Sequence, residues 1–264
     1  MKFSVLKTVL AFIVTISLST TVFAESTMEK IVKTGKLTIA VQTQGPPVSF
    51  VNKAGKRTGL AIELARLMAK DMGVELVIQD YDWKGLIPAL KSGKADLIAA
   101  DMTPTAKRHM QVVFTNPVFY AENVAFAMKS KGFTSWSDLN KAGIKVGATQ
   151  ASTYATAVTA KMPKATLKEY SGGNPQTVQA VVSGRIDGGV SDRATIASFI
   201  NNNDKITVLD GTLTKEPLGF AVRPDSMHLL TAINNYIRLI EYDGRLEETL
   251  NYWWNTTDWQ ADNK

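Results

Sequence analysis

The chain of 264 residues contains no cysteine. That single absence removes disulfides, thiolate metal sites and cysteine nucleophiles together. A chain of this length buries enough core to fold without disulfide staples. Histidine is nearly absent as well: His109 and His228 lie far apart and form no metal-ligand spacing, so neither a metal nor a cofactor is expected. Blocks of one charge sign are also missing. The 30 Lys and Arg against 24 Asp and Glu give a formal +6, but the basic residues are dispersed and not interleaved with aromatics. That pattern takes nucleic acid off the list of expected partners.

Only the start of the chain carries a long apolar run. Lys2 and Lys7 precede the stretch from Val9 to Leu18, and Val22-Phe23-Ala24 places small residues at the minus-three and minus-one positions of a cleavage site. This is the layout of a secretory signal peptide over residues 1–24. The run is too short and too rich in Ser and Thr to span about 30 Å of hydrocarbon, and no cysteine stands ready for lipidation. Losing the leader removes two lysines and leaves a formal charge of +4. The remaining length suits two lobes, each with its own core.

Short apolar strands alternate with helix-period segments, which argues for α/β architecture with largely parallel sheets. Strands are expected at Lys36 to Gln42, Val74 to Tyr81, Asp96 to Met102, Ile144 to Thr149, Thr166 to Tyr170 and Gly188 to Asp192. Helices are expected at Gly59 to Met72 (stopped by Gly73), Lys84 to Lys91, Ser152 to Met162 and Thr177 to Ser183. One stretch repeats: residues 91–101 (KSGKADLIAAD) lie on residues 182–192 (VSGRIDGGVSD) without a gap, at an offset of 91. Each copy reads as helix, glycine turn and buried strand ending in a carboxylate. Open α/β sheets bind ligands beyond the carboxyl ends of their strands, so Asp101 and Asp192 would face one another across a gap. Asp192 also directly precedes a helix start, so a pure capping role stands beside the binding one.

Val124 to Met128 and Leu218 to Val222 are short apolar strands that bracket everything between Lys129 and Pro217. The expected organisation is therefore residues 25–124 as the first part of lobe one, 125–217 as an inserted lobe two, and 218–264 as a return strand completing lobe one. Leu230, Ile233, Ile237 and Ile240 stand at helical spacing to pack there, and Trp253, Trp254 and Trp259 read as packing for the last helix. Two crossing strands are the usual hinge for clamshell closure.

The segments Gly85 to Asp96, Met102-Thr-Pro-Thr-Ala-Lys-Arg108 and Phe114-Thr-Asn-Pro117 resemble the periplasmic amino-acid-binding proteins of polar amino-acid ABC transporters, the bacterial extracellular solute-binding family 3. Gly147 to Thr153 and Ser183 to Asp192 continue the resemblance along the rest of the chain. It implies a type II periplasmic binding protein fold, two Rossmann-like lobes joined by a two-strand hinge. It also implies a periplasmic monomer that hands an amino acid or similar zwitterion to a membrane-embedded ABC permease and makes or breaks no bond.

An α-carboxylate calls for a bidentate arginine with hydroxyl and N–H donors. The resemblance puts Arg108 and Thr103 in that role, with Ser152 and Thr153 donating from the second lobe, Asp192 holding the α-ammonium and Trp83 packing on the ligand side chain. Plainer readings stand beside these: a surface ion pair for Arg108, helix caps for Thr105, Ser152 and Thr153, and core packing for Trp83. Two departures matter. The first strand leads into Gln42-Thr-Gln-Gly45 where relatives carry an acid and an aromatic, and Phe50 need not reach the pocket. Asp101 replaces a small residue; it could contact the ammonium, pair with Arg108 or meet a cationic side chain.

Two other functions use the same residues. A dehydratase acting on prephenate or arogenate needs a general acid; Asp101 is the candidate, although beside Arg108 it is expected to stay ionised. A freestanding sensory domain is the other, in a chain that shows no spanning or signalling segment after Trp259.

Overall fold

The computed structural model describes residues 25–42 and 45–263; the expected signal peptide lies outside them. The first half runs α1 (Thr27–Thr34), β1 (Lys36–Gln42), β2 (Phe50–Val51), β3 (Arg57–Thr58), α2 (Leu60–Met72), β4 (Glu75–Tyr81), α3 (Leu86–Lys91), β5 (Leu97–Met102), α4 (Ala106–His109) and β6 (Val113–Phe114). β7 (Phe119–Met128) leads into β8 (Lys145–Thr149), α5 (Thr153–Lys161), β9 (Thr166–Tyr170), α6 (Gly173–Val182), β10 (Gly188–Asp192), α7 (Arg193–Ile200) and β11 (Ile206–Val208). β12 (Thr214–Val222) returns to the first half, which α8 (Met227–Tyr242), α9 (Arg245–Leu250) and α10 (Trp259–Asn263) complete.

The strand order β4-β1-β5-β12-β7-β10-β8-β9 has a symmetry of its own. On each flank three strands run parallel, β4-β1-β5 and β10-β8-β9. Each trio then meets one long antiparallel strand, β12 against β5 and β7 against β10. Those two long strands pair with each other through Thr214↔Asn123 to Leu218↔Phe119. The chain thus crosses between its halves along β7 and β12, side by side. Apolar burial follows the same division. Two core clusters draw on residues up to 121 and beyond 218, and two draw on residues 124–213.

The repeated motif has the same local structure in both copies. Gly93 and Gly184 take φ of 74° and 70°, a left-handed conformation that favours glycine. Around them Lys94 N–H donates to Ala89 O and Arg185 N–H to Ala180 O, at 3.1 and 3.0 Å. Next come Asp96 and Asp187. Asp96 accepts from Lys30 Nζ (2.8 Å) and Thr38 N–H (3.0 Å). Asp187 accepts from Lys131 Nζ (2.8 Å) and Lys145 N–H (2.9 Å). Each aspartate pins its strand to the neighbouring parallel strand and to a lysine outside the sheet. The motif is structural up to this aspartate, and of the two final residues Asp101 reaches the cavity wall.

Elements expected from periodicity mostly form where the pattern places them, and the differences have local causes. α6 starts at Gly173, ahead of the expected Thr177, because Pro175 sits in the first turn, where its missing N–H costs nothing. α1 was not anticipated; Ser26 and Glu29 form a capping box that starts it. α8 buries Leu230, Ile233, Ile237 and Ile240 as expected. Trp253 and Trp259 are buried against Phe50, with Trp259 5.1 Å from its ring, so Phe50 belongs to this core. Among the described residues no helix is long and apolar enough to cross a membrane.

Candidate ligand-binding cleft

β5, β8 and β10 all end at the same place, where the two parallel trios face each other across β7 and β12. After β5 the chain turns through Thr103-Pro104-Thr105 into α4, and the Thr105 hydroxyl caps it by accepting from Arg108 N–H at 3.3 Å. After β8 it turns through Gln150 and Ala151 into α5. Ser152 is the N-cap there, accepting from Ala155 N–H at 3.2 Å while its hydroxyl donates to Thr149 O at 2.6 Å. Ala151 holds φ of 61°, a costly conformation for a residue with a Cβ. It turns its carbonyl toward Arg108.

A small cavity opens between these turns. Its wall includes Trp83, Asp101, Thr103, Ser152 and Thr153, all expected from the sequence. Trp83 also packs in the core beneath, the plainer of its two readings. Arg108 stands beside this cavity and lines an adjoining one that shares Ser152 and Thr153. Arg108 is 9% exposed, and its guanidinium lies 5.4 Å from the Trp83 ring centre. Nη1 donates to Thr103 O at 2.9 Å and Nη2 to Ala151 O at 3.3 Å, so one side chain bridges the two halves. Burial lowers the Arg108 pKa, and the nearby Glu216 and Asp101 carboxylates oppose that shift. The surface ion pair weighed for Arg108 is not the arrangement found.

Asp192 lies one step behind the wall. Its Oδ1 accepts from Thr195 N–H at 2.7 Å, capping α7, and its Oδ2 accepts from the Tyr154 hydroxyl at 2.9 Å. Capping is therefore realised, and the route from Asp192 to the cavity passes Tyr154. Burial raises the pKa of Asp192, against the Thr195 and Tyr154 hydrogen bonds that lower it. Tyr154 is pushed well above its ordinary value by burial and then by Asp192, and so stays a neutral donor.

Asp101 departs from expectation. Instead of staying ionised beside Arg108, it titrates at about 7, raised by burial first and by the Asp192 charge second. Its own backbone N–H and Arg108 oppose the shift without cancelling it. The Arg108 nitrogens that would pair with it are turned to carbonyls.

Several wall residues escaped the sequence reading: Gln42, Asn123, Tyr154, Asn174 and above all Glu216. Glu216 is 9% exposed and takes four hydrogen bonds. Oε2 accepts from Thr103 Oγ1 (2.5 Å) and Thr153 Oγ1 (2.7 Å); Oε1 accepts from Asn123 Nδ2 (2.6 Å) and Thr214 Oγ1 (2.8 Å). Its position within Thr214–Val222, a strand otherwise apolar from Pro217 onward, was the available signal. Among the described residues no group of three or more side chains is gathered to hold a metal ion.

The cleft can thus offer a guanidinium and carboxylates to a small polar molecule. Known proteins resemble the chain along nearly its whole described length. The sequence profile of the bacterial extracellular solute-binding proteins, family 3, matches residues 37–256. ABC transporter arginine-binding protein 1 of Escherichia coli K12 is 27% identical over 223 residues, covering 83% of this chain and 90% of the relative. The crystal structure of an ancestral amino-acid-binding protein, described as a precursor of cyclohexadienyl dehydratase, superposes with a TM-score of 0.82 at 34% identity, covering 87% of this chain and all of that one. A putative ABC transporter binding component from Wolinella succinogenes, complexed with lysine, gives 0.80 at 29% identity over 86% and 99%.

Proposed function

The chain belongs to the bacterial extracellular solute-binding proteins, family 3, and we propose that it captures an amino acid or similar small zwitterion in the periplasm for an ABC permease. Its fold is the two-lobed α/β fold of these binding proteins. In this reading residues 25–124 and 218–264 form one lobe, 125–217 the other, and β7 with β12 the hinge. The leader over residues 1–24 directs export, the mature chain works as a monomer, and contact with the permease is transient. No bond is made or broken.

The observation that carries the reading is Arg108, a buried guanidinium held across the cleft by one carbonyl from each half. Guanidinium offers five N–H donors in a planar fork, and two carbonyls leave donors over for a ligand carboxylate. Charge-assisted bidentate pairing is strong in a site dried by closure. The Ser152 and Thr153 turn at the start of α5 adds backbone N–H groups suited to an anion. Asp192, reached past Tyr154, supplies the acceptor for an α-ammonium, and Trp83 supplies a flat apolar wall.

The test is a thermal-shift screen of the mature protein against the twenty amino acids, small dicarboxylates and polyamines. A solute bound by the folded form raises the melting temperature by mass action. At least one amino acid is expected to do so in the wild type and to fail in Arg108→Ala. No shift from any zwitterion, or full binding by the variant, contradicts the reading.

One observation favours a second reading. Asp101 titrates near 7 inside the cavity, the range of a general acid at neutral pH, and a precursor of cyclohexadienyl dehydratase shares the fold. Turnover of prephenate or arogenate that disappears in Asp101→Asn would establish catalysis; absence of aromatised product would exclude it.

A further inference from the structure

Most hydroxyl donors on the cavity wall are already committed within the protein. The hydroxyls of Thr103, Thr153 and Thr214 are spent on Glu216, and that of Tyr154 on Asp192. The Thr149 hydroxyl goes to Asn174 Oδ1 at 3.2 Å. Two acceptors are left over. Asn123 is 1% exposed and lines the cavity, and its Oδ1 has no partner. Its orientation is determined, because Nδ2 faces the Glu216 carboxylate and the Thr214 hydroxyl, and a carboxylate requires a donor. Asp101 is the other, with no hydrogen bond or ion pair to another side chain among the described residues.

Charge points the same way. Asp101 and Glu216 lie on the cavity wall and Asp192 behind it, with the Arg108 guanidinium beside them. Asp101 feels both other carboxylates as repulsion. A zwitterion with a neutral side chain would bring no net charge and leave that excess in place. A buried acceptor without a donor is costly, and a buried charge without a partner is costlier.

Taking the site to bind an amino acid, as proposed above, we infer that the ligand is a cationic amino acid whose side-chain cation is received by Asp101 and Asn123 Oδ1. Arg108 then holds the α-carboxylate, and the second positive charge meets the carboxylate that the protein leaves unpaired. Glu216, saturated by its four donors, adds field without direct contact. Asn123 contributes direction, since an amide oxygen accepts from a guanidinium or ammonium without adding charge. Specificity for cationic over neutral side chains thus depends on Asp101.

The test is isothermal titration of the mature protein at pH 8 with L-arginine, L-lysine, L-glutamine and agmatine, the amine that lacks the arginine carboxylate. Arginine or lysine is expected to bind at least about 100-fold more tightly than glutamine, and Asp101→Asn to cut that ratio by at least about 30-fold. Asp101→Ser gives the same readout should the amide variant fold poorly. Glutamine binding as tightly as both cationic amino acids, or an unchanged ratio in both variants, overturns this inference and leaves amino-acid capture standing. Failure of all twenty amino acids to bind, or agmatine binding as tightly as arginine, overturns the amino-acid reading and this inference with it.

Discussion

Thr153 Oγ1 donates to Glu216 Oε2 at 2.7 Å, joining the first turn of α5 to the crossing strand β12. The same oxygen accepts from Thr103 Oγ1. One carboxylate oxygen therefore collects a hydroxyl from each half of the fold, and the cleft is held at the crossing strand as well as across Arg108.

Thr153→Val keeps the shape of the side chain and removes this bond. A hydrogen bond to a charged group contributes about 1.5–3 kcal/mol, so the closed form should lose a comparable amount. Ligand affinity is expected to fall by roughly tenfold or more, with small-angle scattering showing a more open ligand-free protein. Unchanged affinity and an unchanged radius of gyration would count against the latch.

Asp96 and Asp187 make matching bonds in the two parallel strand trios, but Asp96 is fully buried and Asp187 is half-buried. Asp96→Ala removes the partner of Thr38 N–H and of Lys30, whose exposed side chain can turn to water; a loss of about 2–3 kcal/mol is expected. Asp187→Ala should cost about 1–2 kcal/mol by the same argument. Neither residue lines the cavity, so ligand affinity should hold in both variants. Denaturant melts alongside titrations check both halves of this statement.

The raised pKa of Asp101 makes stability depend on pH. In the unfolded chain an aspartate titrates near 3.9, whereas here it titrates at about 7. Between those values the folded protein binds the extra proton. The stabilising contribution is thus full below about pH 4 and is lost as pH rises through 7, by at most about 1.4 kcal/mol per unit. Asp101→Asn should flatten that slope and melt higher than the wild type at pH 8 when both are free of ligand. A wild-type slope that the variant retains would assign the titration to another group.

Much of the fold was legible because periodicity and turn chemistry act locally. Lys36–Gln42, Thr166–Tyr170 and Gly188–Asp192 form strands at the residues where alternation and flanking glycines place them. The repeat from Ser92 to Asp101 and from Ser183 to Asp192 was visible without any partner in view. What it does was not: Asp96 and Asp187 pin neighbouring strands together, while the terminal acids diverge, Asp101 onto the cavity wall and Asp192 behind Tyr154. Glu216 and Asn123 were hidden because their significance arises only when β12 lies beside β7, a pairing across about ninety residues. Asp101 was misjudged electrostatically, since its place near Arg108 in sequence reveals neither its burial nor the Asp192 charge nearby.

The central claim is that Arg108 clamps the carboxylate of an amino acid between the two lobes. Isothermal titration of the wild type and Arg108→Ala with the amino acid that gives the largest thermal shift tests it most directly. The account predicts one-to-one binding by the wild type and a loss of at least about 100-fold in the variant, with the variant's fold intact by circular dichroism. Equal affinity in the two proteins would contradict it.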